Sequence, residues 1–228
     1  MFRLASRTRC PRPRVLPARL AAAARVLWWQ TAGATIMVAK GTPLTTPAAM
    51  AGKKVRVGSD SEAELIRLCG GTPLVIPAAA QYDAYKTDQV SAGSTALTSV
   101  ASRKLWEVAR AVSHTRHRTA EFVVTINERL WQSLPADHRR VMENAALEAE
   151  REMRTRMETL ERETLALAEK HGMKLVELTP DELKQWKTCA TPMLEAYLHR
   201  SGALGAQMME AYRKVLAEAY GTPAPNRR

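Results

Sequence analysis

Apolar and polar positions change period along the chain, and the first half reads as short alternating units. Val-Leu-Trp-Trp at 26–29 and Thr-Ile-Met-Val-Ala at 35–39 predict two short strands around a turn at Gly33. Pro43 and Pro47 hold 42–47 extended, because a proline disfavours helix at the residue before it. Pro47 also suits the first turn of a short helix over 48–51, closed by Gly52. Residues 54–57 (Lys-Val-Arg-Val) alternate as a strand, and Ser59 or Ser61 caps a helix to Cys69 with Leu65, Ile66 and Leu68 facing inward. A buried strand at 74–76, a short helix over 79–88, and a strand end and turn across 90–97 follow. The stripe Leu105, Trp106, Val108, Val112 predicts a helix over 99–112. A strand at 122–126 and a short helix over 127–133 close this half. Strands alternating with helices at this pace predict an α/β fold with a parallel-type sheet.

The second half is helical. From 136 to 170 apolar residues recur every three or four positions (Val141, Ala145, Ala149, Met153, Met157, Leu160), opposite a charged face. The narrow stripe lacks a sustained leucine seam, so a helix lying across a globular body is expected rather than a coiled coil. A last strand covers 173–178. Thr179 then caps a helix with Pro180 at its first position, and two helices, 181–200 and 203–219, precede a polar tail at 221–228.

Charge and cysteines change the picture little. The net charge is +11, but residues 1–25 hold seven of the 34 basic residues and none of the 23 acidic ones. The remainder is close to balance, which argues against a nucleic-acid partner needing a clustered basic face. Arginines and prolines interrupt every candidate apolar core in that leader, so it shows no convincing signal peptide. Cys10, Cys69 and Cys189 are odd in number and far apart, and are read as small buried or incidental thiols. No nucleophile elbow, H-E-x-x-H or glycine-rich phosphate loop is present, so neither an enzyme nor a cofactor is expected. His114, Arg116, His117 and Arg118 are expected in a solvated loop before a strand, and Trp106, Trp131 and Trp186 in the core.

Arg56 is the residue with chemistry to explain. At the end of a strand it either pairs with a surface acid or offers its planar fork to a ligand carboxylate. From Val26 to Arg200 the chain resembles the solute-binding proteins of tripartite ATP-independent periplasmic (TRAP) transporters, of the dicarboxylate- and sialate-binding type. Pro47 to Val57 resembles that family's loop, glycine and arginine-bearing strand. Cys69-Gly70-Gly71-Thr72-Pro73 is similar to its Leu-Gly-Ala-x-Pro segment, and Gln81 to Val90 to its Glu-x-Tyr-x-Ala-Leu-Gln-x-Gly-x-Val segment. Leu105-Trp106-Glu107-Val108, Asn127 to Pro135 and His171 to Leu175 match further pieces in the same order, and His117 falls where the family often has a histidine.

The resemblance implies a periplasmic, monomeric receptor that binds a small organic acid and serves the membrane subunits of a transporter. It implies that Arg56 clamps the carboxylate, that Thr95 and Ser94 donate hydroxyl hydrogen bonds, and that Trp28 or Trp29 lines an apolar wall. Its departures are Val90-Ser91-Ala92 for the family's Val-Asp-Gly, Thr95 for an asparagine that often contacts ligand, and Ala78 where a ring is often found. The expected organisation is a leader (1–25), an α/β lobe corresponding to the family's second (26–178), C-terminal helices (179–220) and a tail (221–228), with the first lobe missing. A helical interaction protein and an inactive remnant exposing an apolar face are the alternatives.

Overall fold

The computed structural model describes residues 23–220. Six strands, β1 (Ala24–Ala39), β2 (Lys54–Val57), β3 (Thr72–Val75), β4 (Ala92–Ala96), β5 (Ala111–Asn127) and β6 (Lys174–Val176), form one sheet in the order β3-β2-β4-β1-β5-β6. The helices are α1 (Asp60–Leu68), α2 (Gln81–Lys86), α3 (Thr98–Ser102), α4 (Glu128–Ser133), α5 (Ala136–Lys170) and α6 (Pro180–Tyr220). The parallel-type sheet of the sequence reading becomes a mixed one. β2 pairs in parallel with β3 and β4, and β5 with β6, but β1 runs antiparallel between β4 and β5.

Alternation along β1 explains why helices cover both faces of the sheet's inner part. Ile36 and Val38 join Tyr85, Val100, Leu105 and Val112 on one side. Met37 and Ala39 join Met50, Val55, Ile66 and Trp186 on the other. Beyond Thr35 only β1 and β5 continue, as a two-stranded ribbon reaching Ala24 opposite Asn127. Near that outer half Phe122, Val123, Leu130 and Val141 are exposed.

Several sequence expectations need correction. The two strands around Gly33 are one strand. Gly33 (φ +85) sits at a register shift rather than in a hairpin turn, and its missing side chain makes room for Glu161 of α5. Glu161 accepts from the Ala34 N–H at 2.8 Å and Glu150 from the Trp29 N–H at 3.4 Å, so backbone groups freed by the bulges are satisfied by the long helix. That helix therefore lies along β1, as expected of a helix crossing a globular body, although Val141 and Ala145 of the expected stripe are exposed and Ala146, Met157, Thr164 and Ala168 are the buried positions. The expected helix over 99–112 stops at Ser102. Lys104 is left-handed, a single 3-10 turn covers Leu105–Glu107, and Val112 is drawn into pairing with Val38. The strand end and turn expected at 90–97 is an interior strand, β4. Leu68 faces solvent rather than the core.

Residues 114–118 belong to β5 rather than to a solvated loop, and His114 is buried. Cys69 and Cys189 are disulfide-bonded, Cα atoms 5.3 Å apart, and tie the end of α1 to α6. Spacing gave no hint of this, because the partners lie 120 residues apart. Residues 1–22 of the expected leader and the tail lie outside the described residues, while Ala24 and Arg25 already belong to β1. Arg25 makes a bidentate pair with Glu128 at 3.1 and 3.2 Å and lies 5.0 Å over the Trp131 ring. The expected break between C-terminal helices falls at Gly202, where φ is +54 inside α6.

Candidate functional site

The site is built where β2 and β4 lie side by side. Arg56 pairs with Gly93, which in turn sits opposite Val38 of β1. A Cβ on Gly93 would fall 2.7 Å from the Tyr85 hydroxyl and 3.1 Å from Arg56 Cβ. Glycine thus lets Tyr85 cross β4 and donate to the Val38 carbonyl at 3.0 Å, and lets the Arg56 stem lie flat against the sheet. Burial of the Tyr85 phenol raises its pKa far above the usual value, so it acts as a neutral donor.

Arg56 is 5% exposed. Its Nε donates to the Ile76 carbonyl and one Nη1 N–H to the Ser94 carbonyl, each at 2.8 Å. Among the described residues Nη2 has no hydrogen-bond partner, and Arg56 makes no ion pair within 4 Å. Desolvation lowers its pKa, with Arg103 and Arg118 pushing the same way and Glu62 and Tyr85 opposing. A guanidinium nevertheless stays charged throughout the accessible pH range.

A polar network surrounds it. Glu62, from the first turn of α1, is 5% exposed. Its Oε1 accepts from Ser94 Oγ at 3.0 Å and forms an ion pair with Arg118 Nη2 at 2.8 Å, and its Oε2 accepts from the Gly58 N–H at 2.7 Å. Because Ser94 spends its proton on Glu62, Ser94 Oγ accepts from His117 Nε2 at 3.2 Å, and His117 Nδ1 accepts from Thr115 Oγ1 at 2.7 Å. One direction of donation, Thr115 to His117 to Ser94 to Glu62, satisfies every member. It requires a neutral His117 ring. Desolvation holds its pKa down at about 4, with Glu62 raising it and Arg118 lowering it. On the far side Arg103 Nη1 donates to Gln81 Oε1 at 2.7 Å and Thr95 Oγ1 at 3.1 Å.

The structure sets Arg56 against the Ser94 backbone carbonyl, while the Ser94 hydroxyl is on Glu62 and His117 and the Thr95 hydroxyl on Arg103; Ser94 and Thr95 are both buried. It does not bring Trp29 to them. Trp29 pairs with Val123 on the outer ribbon, nine positions along β1 from Val38, a strand distance of roughly 30 Å. Sequence reading missed Glu62, Arg103 and the roles of His117 and Arg118, since no motif links positions so far apart. Glu62 carried one signal, as an acid in the first turn of a helix directly after the arginine strand. A surface depression of about 300 Å³ among Lys40, Tyr85, Lys86, Glu107, Val108 and Arg110 includes none of the three guanidiniums. No group of three or more metal-ligating side chains occurs among the described residues.

A buried arginine with unspent donors, beside two further arginines and one internal carboxylate, is chemistry for an anion. The comparisons with known proteins agree with the kind of protein this implies. The family model described as bacterial extracellular solute-binding protein, family 7, matches residues 15–200. The chain belongs to this family. It is a family of solute-binding proteins, not of enzymes. The chain is 29% identical over 185 residues to the C4-dicarboxylate-binding periplasmic protein DctP of Rhodobacter capsulatus, covering 80% of this chain and 54% of that one. It is 26% identical to a solute-binding protein of Albidiferax ferrireducens, covering 71% and 48%. The chain thus spans about half the length of these relatives.

Among solved structures, a TRAP periplasmic solute-binding protein from Rhodoferax ferrireducens with bound malonate superposes with a TM-score of 0.76 at 22% identity, covering 87% of this chain and 64% of that one. The periplasmic ectoine-binding protein of the TeaABC TRAP transporter of Halomonas elongata gives 0.79 at 19%, covering 86% and 64%. These likenesses establish the fold: this family-7 chain shares the α/β architecture of TRAP receptors over its matched length.

Proposed function

We propose that this family-7 chain binds a small organic carboxylate on Arg56, as the extracytoplasmic receptor component of a TRAP-type transporter. The observation that carries the reading is the state of that side chain: buried, fixed by two backbone carbonyls, and left with unspent N–H donors among other cations. Such a group offers a preorganised, bidentate, charge-assisted pair to a carboxylate. Thr95 adds a donor. Its oxygen accepts from Arg103, so its own proton is free for a ligand, whereas Ser94 has given its proton to Glu62 and serves as a positioning group. Ligands named for relatives, C4-dicarboxylates and malonate, belong to this chemical class.

The Cys69–Cys189 disulfide supports an oxidising compartment outside the cytoplasm. Phe122 and Val123, exposed on opposite sides of the outer ribbon, and exposed Val141 fit apolar surface that a further lobe would cover, which supports reading the described residues as one wall of a two-walled site. The alternative of a helical interaction protein gains nothing, since α5 is occupied along β1.

The test is an amide-detected NMR titration with malonate, malate and succinate, which reads weak as well as tight binding. Shifts are expected at Arg56, Gly58, Ser94 and Thr95, and Arg56→Lys should weaken binding about tenfold or more by removing the fork. Saturable binding that is unchanged in Arg56→Lys, or shifts confined to the outer ribbon, would refute the assignment.

A further inference from the structure

Arg103 repeats the arrangement that marks Arg56. It follows the last residue of α3, where Lys104 turns left-handed (φ +48) and ends the helix. Its Nη1 donates to Gln81 Oε1 at 2.7 Å and to Thr95 Oγ1 at 3.1 Å. Both acceptors are neutral and buried. A guanidinium carries five N–H donors. With Nη1 spent, the Nε–Nη2 edge, a fork that fits a carboxylate, is left unspent among the described residues. No acid lies within 4 Å of Arg103 among those residues. Burial lowers its pKa, and no carboxylate opposes the shift.

The two guanidiniums are anchored on consecutive residues of β4. Arg56 Nη1 is 2.8 Å from the Ser94 carbonyl oxygen, and Arg103 Nη1 is 3.1 Å from Thr95 Oγ1. Only one peptide link and the Thr95 Cβ join those two oxygens. They therefore lie at most about 5 Å apart, and the two Nη1 atoms at most about 11 Å. A carboxylate held on each arginine leaves about 5 Å or less between their nearest oxygens, a gap that a three- or four-carbon diacid spans. Charge points the same way. Of the three guanidiniums, Arg118 is paired with Glu62 at 2.8 Å, and His117 is neutral. Arg56 and Arg103 are left uncompensated, each pushing against the other. One ligand carboxylate cancels only half of that charge.

We propose that Arg103 is a specificity-determining residue of the site, taking the second acid group of a ligand whose first carboxylate is on Arg56, so that doubly negative acids are selected over singly negative ones. This rests on the carboxylate assignment to Arg56 above. Thr95 joins the two halves. Its oxygen is held by Arg103, so a ligand oxygen that takes the Thr95 proton lies within about 6 Å of Arg103 Nη1. Gln81, fully buried, fixes the other Nη1 N–H, so the guanidinium is held in place before any ligand arrives.

The experiment is the same NMR titration on the full chain at pH 7, with succinate against its monomethyl ester and malonate against propionate, on wild type, Arg103→Gln and Arg103→Lys. Wild type should bind each diacid about tenfold tighter than its partner or more. Arg103→Gln, which can still donate to Thr95, should cut that ratio to about twofold, the advantage a symmetric diacid keeps from having two ends to offer Arg56. Affinity for the monoacids, which reads Arg56, should change much less. Arg103→Lys keeps the charge and loses the fork, so its ratio should fall between the two. If Arg103→Gln gives no folded spectrum, Arg103→Lys decides the matter, and a ratio equal to that of wild type counts against the inference. A wild-type ratio of twofold or less, or a ratio that survives in folded Arg103→Gln, overturns this inference and leaves the Arg56 reading standing. Absence of binding by all four acids overturns both.

Discussion

The disulfide between Cys69 and Cys189 makes the sharpest prediction about the fold, because its effect follows from loop length. The bond closes a loop of 120 residues. In the chain-entropy treatment, restricting the unfolded state in that way is worth about 4.9 kcal/mol at 25 °C, and removal of native disulfides typically costs about 2–5 kcal/mol. Cys69 is buried beside Ile66 and Trp186, so the bridge also fixes α6 against the sheet's lower core. At about 2–4 °C per kcal/mol for a domain of this size, a loss near 4 kcal/mol lowers the melting temperature by about 8–16 °C. The assay compares calorimetric or circular-dichroism melts of the oxidised chain, the same chain in excess reductant, and Cys69→Ala with Cys189→Ala. Thiol alkylation after denaturation gives an independent count, with two of the three cysteines reacting only after reduction. Oxidised and reduced melts agreeing within about 2 °C would refute the loop-entropy reasoning. Three reactive thiols without reduction would refute the bridge itself.

Other consequences are nearer the site. His117 stays neutral in the folded state down to about 4 but takes a proton near 6.5 when unfolded. The unfolded state therefore holds more protons between those values, so stability falls as pH drops through that window, by at most about 1.4 kcal/mol per unit, and levels off below it. Urea titrations at pH 7 and 4.5 should show this loss in wild type and a smaller one in His117→Gln, and an equal loss in both would contradict it. Gly93→Ala places a methyl against the Tyr85 hydroxyl and Arg56 Cβ and should cost about 1–3 kcal/mol by overpacking, read as a lower urea midpoint. Thr179 and Glu182 bond reciprocally, side chain to backbone N–H, at the start of α6. Thr179→Ala should therefore cost about 1 kcal/mol, and an unchanged midpoint would show that helix end to be held by its other contacts.

Much of the scaffold was legible because its signals are local. The alternation at 54–57, the Thr179-Pro180 start of α6 and the narrow stripe of α5 each follow from periods of two or 3.6 residues. What escaped is what long-range partners decide. The run at 24–39 reads as two strands because Gly33 resembles a turn, and only Glu161, 128 positions away, makes it a bulge. Val112 fits a helical stripe as well as a strand, and its pairing with Val38 settles the choice. The site divides the same way. Arg56 stands out as a charged residue in an apolar strand, but Glu62, Arg103, His117 and Arg118 converge on it from separate elements, and each alone reads as an ordinary surface residue.

In the proposed carboxylate-binding role, the way the donors of Arg56 are met matters more than its burial does. Taking a cation out of water is costly unless its donors are met. A close acid would meet them and also cancel the charge that a ligand needs. Here two neutral carbonyls, Ile76 and Ser94, meet part of the donor set while leaving the charge in place. Glu62 offsets the cluster from a little further off, and its own carboxylate is committed to Arg118, Ser94 and the Gly58 N–H rather than to Arg56. Arg56 is therefore met by enough partners to be buried and left unpaired enough for the proposed role. Replacing Ser94 by alanine tests this balance. It keeps the Ser94 carbonyl but cuts the relay from His117 to Glu62, so Glu62 becomes free to turn toward Arg56. Carboxylate affinity should fall several-fold although Ser94 itself gives the ligand no proton. Affinity unchanged in a folded Ser94→Ala chain would show that the relay does not hold Glu62 away from the arginine.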